Sequence, residues 1–201
     1  MESVTAPTAA NERISSILAA ACRVAVREGA HGLRMASVAE EAGVSKALVH
    51  YYFTTRRELM RNAVAWSEEQ WRAALDAEVA ALPTGRDRVE RMLSASVDAE
   101  QPALSDQRAL WNEVWSSLRL DDEIRPLVEQ SYRAWLDRLM ALIEEGIADG
   151  SIPANVDPEA ATWRLAAVGD GLDSMLYLGL LPRERAVELI RASVRNELAP
   201  E

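Results

Sequence analysis

The sequence predicts an all-α fold, and three observations support this prediction. Apolar residues recur at three- and four-residue intervals along the 201 residues, which is the spacing of one helix face, and no segment alternates as a strand does. Glycine and proline interrupt these patterns at ordinary helix lengths. The composition, with 49% hydrophobic and 27% charged residues, is that of a globular protein.

The periodic segments and their stop signals predict nine helices. The first stops at Gly29, and the second and third meet at Gly43. Asp157-Pro158 is a strong start signal, because Asp caps a helix and Pro fits its first turn. We expect residues 1–11 to form a disordered tail. The predicted helices span about 12–29, 36–42, 45–52, 56–81, 86–100, 106–120, 121–150, 157–179 and 182–198.

Charge is unevenly distributed along the chain. The net charge is −10, which by itself disfavours a nucleic-acid partner. Residues 1–57, however, carry seven basic and five acidic side chains, whereas residues 58–201 carry 15 and 27. This pattern is compatible with a DNA-binding domain fused to a domain that does not bind DNA. Chance segregation of surface charge would give the same pattern, so the asymmetry only permits the DNA interpretation.

Several functional classes lack their characteristic residues. One cysteine, Cys22, excludes an intramolecular disulfide, and together with two histidines it gives no metal cluster. We find no nucleophile–base arrangement and no glycine-rich phosphate loop, so we expect no catalytic site, no cofactor and no enzyme activity. No apolar run approaches the ~20 residues that cross a bilayer, and no secretory signal is recognisable, so we expect a cytoplasmic protein with no membrane partner.

Residues 32–59 hold the most informative pattern, two short helices joined at Gly43. The turn favours glycine because a positive φ costs glycine little. Ser45 stands where the N-cap of the second helix belongs. That helix presents hydrogen-bond donors beside small and apolar side chains, a mixture that suits the major groove of DNA. We therefore predict a helix-turn-helix domain at 12–55 and a second domain at 56–201.

The stretch AEEAGVSKALVHYYFTTRREL resembles the signature of the TetR family of bacterial repressors. The resemblance implies a homodimer that binds double-stranded operator DNA and senses a small molecule, and it implies that Phe53 fills the core of the DNA-binding head. It implies base-facing residues at Lys46, Ala47, Leu48 and His50. It implies phosphate contacts from Ser45, Tyr51, Tyr52 and Arg56.

Two positions depart from the family pattern. Members often carry Ser or Thr where Arg34 stands, as the cap of the first short helix, so we expect Arg34 to reach a backbone phosphate instead. The residue before the tyrosine pair is more often Tyr than His, so base preference does not transfer to His50. The alternative to DNA contact is that His50, Tyr51 and Tyr52 are only half-buried helix residues. Three consecutive residues of one helix, however, cannot all face inward.

The predicted 157–179 helix carries an aromatic face with an acid in its middle. A carboxylate among apolar neighbours must be paired, protonated or used. Aromatic walls with a carboxylate suit an organic cation through cation–π attraction. The segment from Trp111 to Leu172 also resembles the choline-responsive BetI branch of the family. The predicted effector-binding residues are Trp66, Trp111, Trp115, Trp163, Asp170, Ser174 and Tyr177.

Three alternatives to the cation site remain open at this point. The aromatic residues could simply fill the core of a helix bundle. The acid could pair with Arg133, Arg138 or Arg164. The effector could be an uncharged hydrophobic compound.

The opposite face of the same helix, together with the last helix, predicts a dimer interface. A helix that is apolar on two faces must bury both. We expect one face to line the effector pocket and the other to meet a second copy in a four-helix bundle. Such a dimer would hold two recognition helices ~34–36 Å apart and bind a palindromic operator. The predicted interface residues are Leu165, Val168, Leu172, Met175, Leu176, Val187, Ile190 and Val194.

Three functions are compatible with these patterns. A repressor that a small molecule releases from DNA fits best. A regulator whose ligand is a corepressor, or which activates transcription, would carry the same residues. A helical ligand carrier is disfavoured by the complete helix-turn-helix pattern.

Overall fold

The all-α prediction is confirmed by a computed structural model, which describes residues 9–30, 32–95, 97–98, 109–111, 113–114 and 125–199. Within these ranges all regular secondary structure is helical. Residues 109–111 and 113–114 are also helical. The remaining helices are α1 (Ala9–Glu28), α2 (Met35–Glu41), α3 (Lys46–Tyr52), α4 (Arg56–Ala80), α5 (Gly85–Ser94), α6 (Arg125–Ala148), α7 (Pro158–Tyr177) and α8 (Arg183–Glu197).

Two helix ends differ from the sequence-based expectation. Helix α1 begins at Ala9, three residues before the predicted start, because two alanines with high helix propensity extend it. Helix α5 ends at Ser94 rather than near residue 100, and the chain turns at Ala95 and Val97, where the Val97 amide donates to the Ser94 carbonyl at 3.0 Å. The predicted helix over 106–120 falls mostly outside the described residues.

Local geometry confirms the predicted caps and the predicted turn. The Ser45 hydroxyl accepts a hydrogen bond from the amide of Leu48 at 3.2 Å. The Asp157 carboxylate accepts from two amides in the first turn of α7, at 3.0 and 3.2 Å, and Pro158 opens that helix. Gly43 has a φ of +65°, the left-handed conformation that glycine adopts at little cost.

The chain divides into two compact units, each with its own core. Unit 1 comprises residues 1–70 and 106–127, and unit 2 comprises residues 71–105 and 128–201. Helix α4 crosses the division between Gln70 and Trp71, so its first part belongs with the helix-turn-helix segment. The separation of function at residue 56 stays a prediction.

The core of unit 1 joins the three N-terminal helices to the first half of α4. Helix α2 packs against both α1 and α3. Twelve of the large side chains in this core are at most 6% exposed. They are Ile17, Leu18, Val24, Leu33, Val38, Val49, Phe53, Leu59, Met60, Val64, Leu110 and Val114.

In unit 2, α5 packs against α7 and α8, and α7 packs against α8. The start of α5 also meets the end of α6 at backbone distance, where Gly85 lies against Gly146. The amide of Gly85 donates to the Asp149 carboxylate at 2.7 Å, and the Arg86 guanidinium donates to the Ser151 carbonyl at 2.8 Å. This region therefore ties α5 to the turn after α6.

Among the helices that the structure describes, none is both long enough and apolar enough to span a membrane.

We predict that Gly85→Ala destabilises unit 2. A Cβ on residue 85 would lie 2.2 Å from the Gly146 nitrogen and 2.3 Å from its Cα, and backbone cannot move aside as a flexible side chain can. Overpacking of this kind costs about 1–3 kcal/mol. Thermal unfolding followed by circular dichroism should show a lower Tm.

The matched control is Gly171→Ala in α7, where a Cβ meets nothing within 4 Å and φ is not positive. Alanine is a better helix former than glycine, so this variant should keep or raise the Tm. A wild-type Tm for Gly85→Ala would contradict the tight α5–α6 approach.

Candidate nucleic-acid interface and effector site

The helix-turn-helix is held together by a few apolar side chains between α2 and α3. Val38 and Val49 are 0% exposed, and Phe53 is 5% exposed, which confirms its expected place in the core of the head. Outside this core, the guanidinium groups of Arg23 and Arg27 donate to the Glu41 carboxylate at 2.7 and 2.9 Å. These hydrogen bonds tie α1 to α2 and lower the pKa of Glu41.

The edge of α3 opposite Val49 is open to solvent. Tyr51 is 79% exposed, and its ring meets that of Tyr52 edge to face with centroids 5.1 Å apart. Tyr52 is half-buried, and the centroid of its ring lies 6.5 Å from that of Phe53, so Tyr52 connects the exposed edge of α3 to the core. The exposed members of the predicted DNA-contacting set on and before α3 are Ser45, Lys46, Ala47, His50 and Tyr51.

Three other predicted DNA-contacting residues have distinct surroundings. Leu48 is half-buried beside its exposed neighbours. Arg34 is exposed and is the N-cap residue of α2 without any side-chain cap hydrogen bond, as expected from its departure from the family pattern. Arg56 is half-buried, and its Nη1 donates to the Ala30 carbonyl at 2.8 Å. All DNA contacts of these residues stay predictions.

The predicted effector-binding residues fall into different parts of the molecule. Trp163, Asp170, Ser174 and Tyr177 lie along one exposed face of α7, where Trp163 is 56% and Tyr177 is 68% exposed. Trp66 and Trp111 are half-buried residues of unit 1. Trp115 lies outside the described residues. The α7 group is therefore the part of the predicted site that the structure brings together.

Asp170 has a partner that sequence reasoning missed. The Tyr132 hydroxyl on α6 donates a hydrogen bond to the Asp170 carboxylate, and the Tyr132 ring lies 5.8 Å from the ring of Trp135. Although Asp170 lies on an exposed face, partial burial of its carboxylate raises the pKa of Asp170, while the hydrogen bond from Tyr132 acts in the opposite direction. Burial of the Tyr132 hydroxyl raises the pKa of Tyr132, and its hydrogen bond to Asp170 raises that pKa further. Two aromatic residues three positions apart on one helix were the available signal.

Two of the three arginines considered as partners of Asp170 bond to other carboxylates. Arg138 donates to Glu145 at 3.2 Å, and Arg164 donates to Glu197 at 2.8 Å. The carboxylate of Asp170 thus contacts a neutral hydroxyl in unit 2, and its negative charge is not matched by either of these cations.

Half of the predicted dimer-interface residues belong instead to the core of unit 2, and the prediction was wrong for them. Leu165, Leu172, Ile190 and Val194 are at most 7% exposed, which leaves them no surface for a second copy. Val168, Leu176 and Val187 are partly buried against the same core, and Met175 remains on the surface at 47% exposure. The exposed large apolar residues among the described residues of unit 2 are Trp163, Met175, Tyr177, Leu178 and Leu180.

Two family models match this chain and together cover most of it. The model described as "Bacterial regulatory proteins, tetR family" matches residues 17–63, which contain the helix-turn-helix. The model described as "BetI-type transcriptional repressor, C-terminal" matches residues 83–199.

Curated relatives agree with both models. The HTH-type transcriptional regulator BetI of Rhizobium meliloti (strain 1021) is 30% identical over 116 residues, which cover 58% of this chain and 57% of the relative. The regulator of the same name from Escherichia coli (strain K12) is 27% identical over 174 residues, covering 85% of this chain and 86% of the relative.

Solved structures share the fold. A TetR-family transcriptional regulator from a Rhodococcus species has a TM-score of 0.82 at 26% identity, covering 94% of this chain and all of that one. A transcriptional regulator from Saccharomonospora viridis, solved in complex with choline, has a TM-score of 0.84 at 23% identity, covering 94% and 99%. The chain belongs to the TetR family of transcriptional regulators, with an N-terminal helix-turn-helix and a BetI-type C-terminal region.

Proposed function

We propose that this regulator is a homodimeric repressor that binds a palindromic operator and is released from it by an organic cation. The observation that carries the proposal is the open edge of α3, where Lys46, His50 and Tyr51 face solvent while Val49 fixes the helix to the core. Bacterial DNA lies in the cytoplasm, so we infer that the protein works there.

The DNA-binding step is supported by the chemistry of this edge. Lys46 begins α3, and the Ser45 cap holds the first turn of that helix in place. A cationic side chain at this position contacts phosphates or the acceptor groups of purines in the major groove. The strongly acidic remainder of the chain would be repelled by DNA, so binding is directed to the head.

The dimerisation step is supported by the exposed apolar surface on α7 and the turn that follows it. Large apolar side chains gathered on one surface of a globular protein mark an interaction site. A second copy would cover Met175, Leu178 and Leu180 with the same residues of its own chain, since a two-fold interface is self-complementary. This surface replaces the aliphatic stripe that the sequence suggested.

The effector step is supported by Asp170 and the aromatic pair on α6. A carboxylate beside the Tyr132 and Trp135 rings offers charge attraction and cation–π attraction to an organic cation. Choline is bound by the relative from Saccharomonospora viridis, which makes it a suitable first probe. Release from DNA requires the cation to bind the DNA-incompetent conformation more tightly than the competent one.

A corepressed regulator or an activator is the second candidate, because it would use the same surfaces. The sign of the effect separates these functions: a corepressor strengthens operator binding, whereas an inducer weakens it. An effector without charge would act independently of Asp170.

We predict that Lys46→Ala lowers affinity for the selected operator about tenfold or more. A homodimer loses two cationic contacts, so the dependence of log affinity on log salt should also become less steep by about two. Fluorescence anisotropy with duplexes selected by the wild-type protein from a random pool measures both quantities.

The matched control is Arg195→Ala, which removes one positive charge from an exposed position of α8 in unit 2. It should leave affinity and salt dependence close to wild type. Equal losses in the two variants would argue against a contact by Lys46, and failure of the wild-type chain to select any DNA sequence would defeat the proposed function.

We predict that Met175→Arg shifts the protein from dimer to monomer. It places a charge in the exposed apolar surface of α7, where burial against a second copy would leave that charge unpaired. Light scattering after size exclusion reports the mass. Ala73→Arg, at an exposed position of α4, is the control and should remain dimeric; a dimeric Met175→Arg protein would place the interface elsewhere.

We predict that choline binding weakens on acidification at a higher pH than an ordinary aspartate would allow. The cation needs the ionised carboxylate, and the raised pKa of Asp170 means that protonation begins at higher pH. Affinity is therefore greatest above that pKa and is lost below it. Isothermal titration calorimetry measures the change.

Asp170→Asn keeps an acceptor for the Tyr132 hydroxyl but removes the charge, so it should bind choline about two- to fivefold more weakly and without this pH dependence. Asp137→Asn removes an exposed charge from α6 and should behave as wild type. Undiminished choline binding by Asp170→Asn would rule out the carboxylate as the cation-binding group.

A further inference from the structure

The peptide groups of Ala30, in the turn between α1 and α2, are held from two sides. The amide of Ala30 donates to the Glu113 Oε1 at 2.9 Å. Its carbonyl accepts from the Arg56 Nη1 at 2.8 Å. Ala30 is 4% exposed, so water does not readily replace either contact. All three residues belong to unit 1, and we call this arrangement the Ala30 clamp.

The turn is shaped to receive both side chains. Gly29 has a φ of +82°, and a Cβ at this position would lie 3.3 Å from the Glu113 Oε1. Its carbonyl accepts from the amides of Gly32 and Leu33 at 3.0 and 3.1 Å. Because the Gly29 carbonyl closes the turn, the amide and carbonyl of Ala30 point to partners outside it.

The two residues that hold Ala30 lie on the two stretches through which unit 1 continues into unit 2. Arg56 opens α4, which runs into unit 2 at residue 71. Glu113 lies in the 106–127 stretch, which is joined to unit 2 at both of its ends. Both residues that hold the α1–α2 turn therefore lie on stretches from which the chain continues into unit 2.

We propose that Glu113 and Arg56 are positioning residues that fix the orientation of the helix-turn-helix for two half-sites at one separation. The inference rests on the proposed function, because it needs a dimer and a palindromic operator. Arg56 then acts on DNA binding through Ala30 in addition to any phosphate contact of its own. Removing the Glu113 contact frees the turn to rotate against the 109–114 segment.

A merely structural role and a positioning role predict different results. If Glu113 only stabilised the fold, its loss would lower the active fraction and weaken binding to every DNA to the same extent. If it sets the orientation of the head, its loss weakens binding to the preferred half-site spacing while altered spacings are tolerated better. The ratio of affinities for two spacings is therefore the informative quantity.

The test uses the full-length chain and the palindrome that the wild-type protein selects from a random pool. Affinity is measured for that duplex and for duplexes with one or two base pairs inserted between the half-sites. We expect the wild-type ratio to fall about tenfold in Glu113→Ala, which removes the acceptor. Glu113→Gln, which keeps an acceptor oxygen, should restore the ratio.

Two further variants complete the test. Glu113→Asp retracts the carboxylate by one methylene and should also lower the ratio, so it decides the question if the alanine variant does not fold. Glu58→Ala is the matched control, since the Glu58 carboxylate accepts from the Thr54 amide at 2.8 Å in the same unit but does not touch Ala30. It should keep the wild-type ratio.

The outcomes separate the two proposals. A wild-type protein that selects no palindrome overturns the proposed function and the clamp with it. A wild-type protein that discriminates between spacings, together with folded Glu113→Ala or Glu113→Asp protein of unchanged ratio, overturns the clamp alone.

Discussion

Recognition of DNA by this protein depends on how a seven-residue helix is kept folded. A helix as short as α3 is unstable alone in water, because nucleation costs more than one turn returns. Burial of Val49 and Phe53 and the Ser45 cap at the first turn provide the stabilisation that the helix propensity of seven residues does not provide. The side of α3 that is buried then determines which side remains open. Exposure of Lys46 and Tyr51 is thus a consequence of apolar packing on the other side of the same helix.

Apolar packing also explains why the aliphatic face of α7 lies in the core of unit 2, whereas the sequence predicted that this face would form the dimer interface. Both faces of this helix are apolar, so periodicity alone cannot decide which one enters the core. The inward face alternates small residues with leucines, because Ala161, Thr162, Ala166 and Gly169 are buried there beside Leu165 and Leu172. Trp163 and Tyr177 on the other face are too large for close packing of this kind. Close packing therefore selects the aliphatic face for the core.

Local features were predictable from sequence, and contacts distant along the chain were not. Helix periodicity, the Ser45 and Asp157 caps and the left-handed Gly43 each depend on neighbours within about one turn, and all were found as expected. The Tyr132–Asp170 contact joins residues 38 positions apart, and the Ala30–Glu113 contact joins residues 83 apart. Such pairings depend on how helices pack, which a single sequence does not encode in any local pattern. The sequence therefore predicted the DNA-contacting edge in more detail than the effector site.

On the proposed function, the effector and the second copy of the chain both bind to helix α7. Asp170 lies with Trp163 and Tyr177 on one exposed face of α7, and Met175, which we propose to be covered in the dimer, lies on the same helix. A ligand that shifts α7 changes the free energy of association, and association changes ligand affinity by the same factor. The effector can therefore alter the geometry of the dimer without a separate relay between distant sites. A shared helix is sufficient to couple the two events.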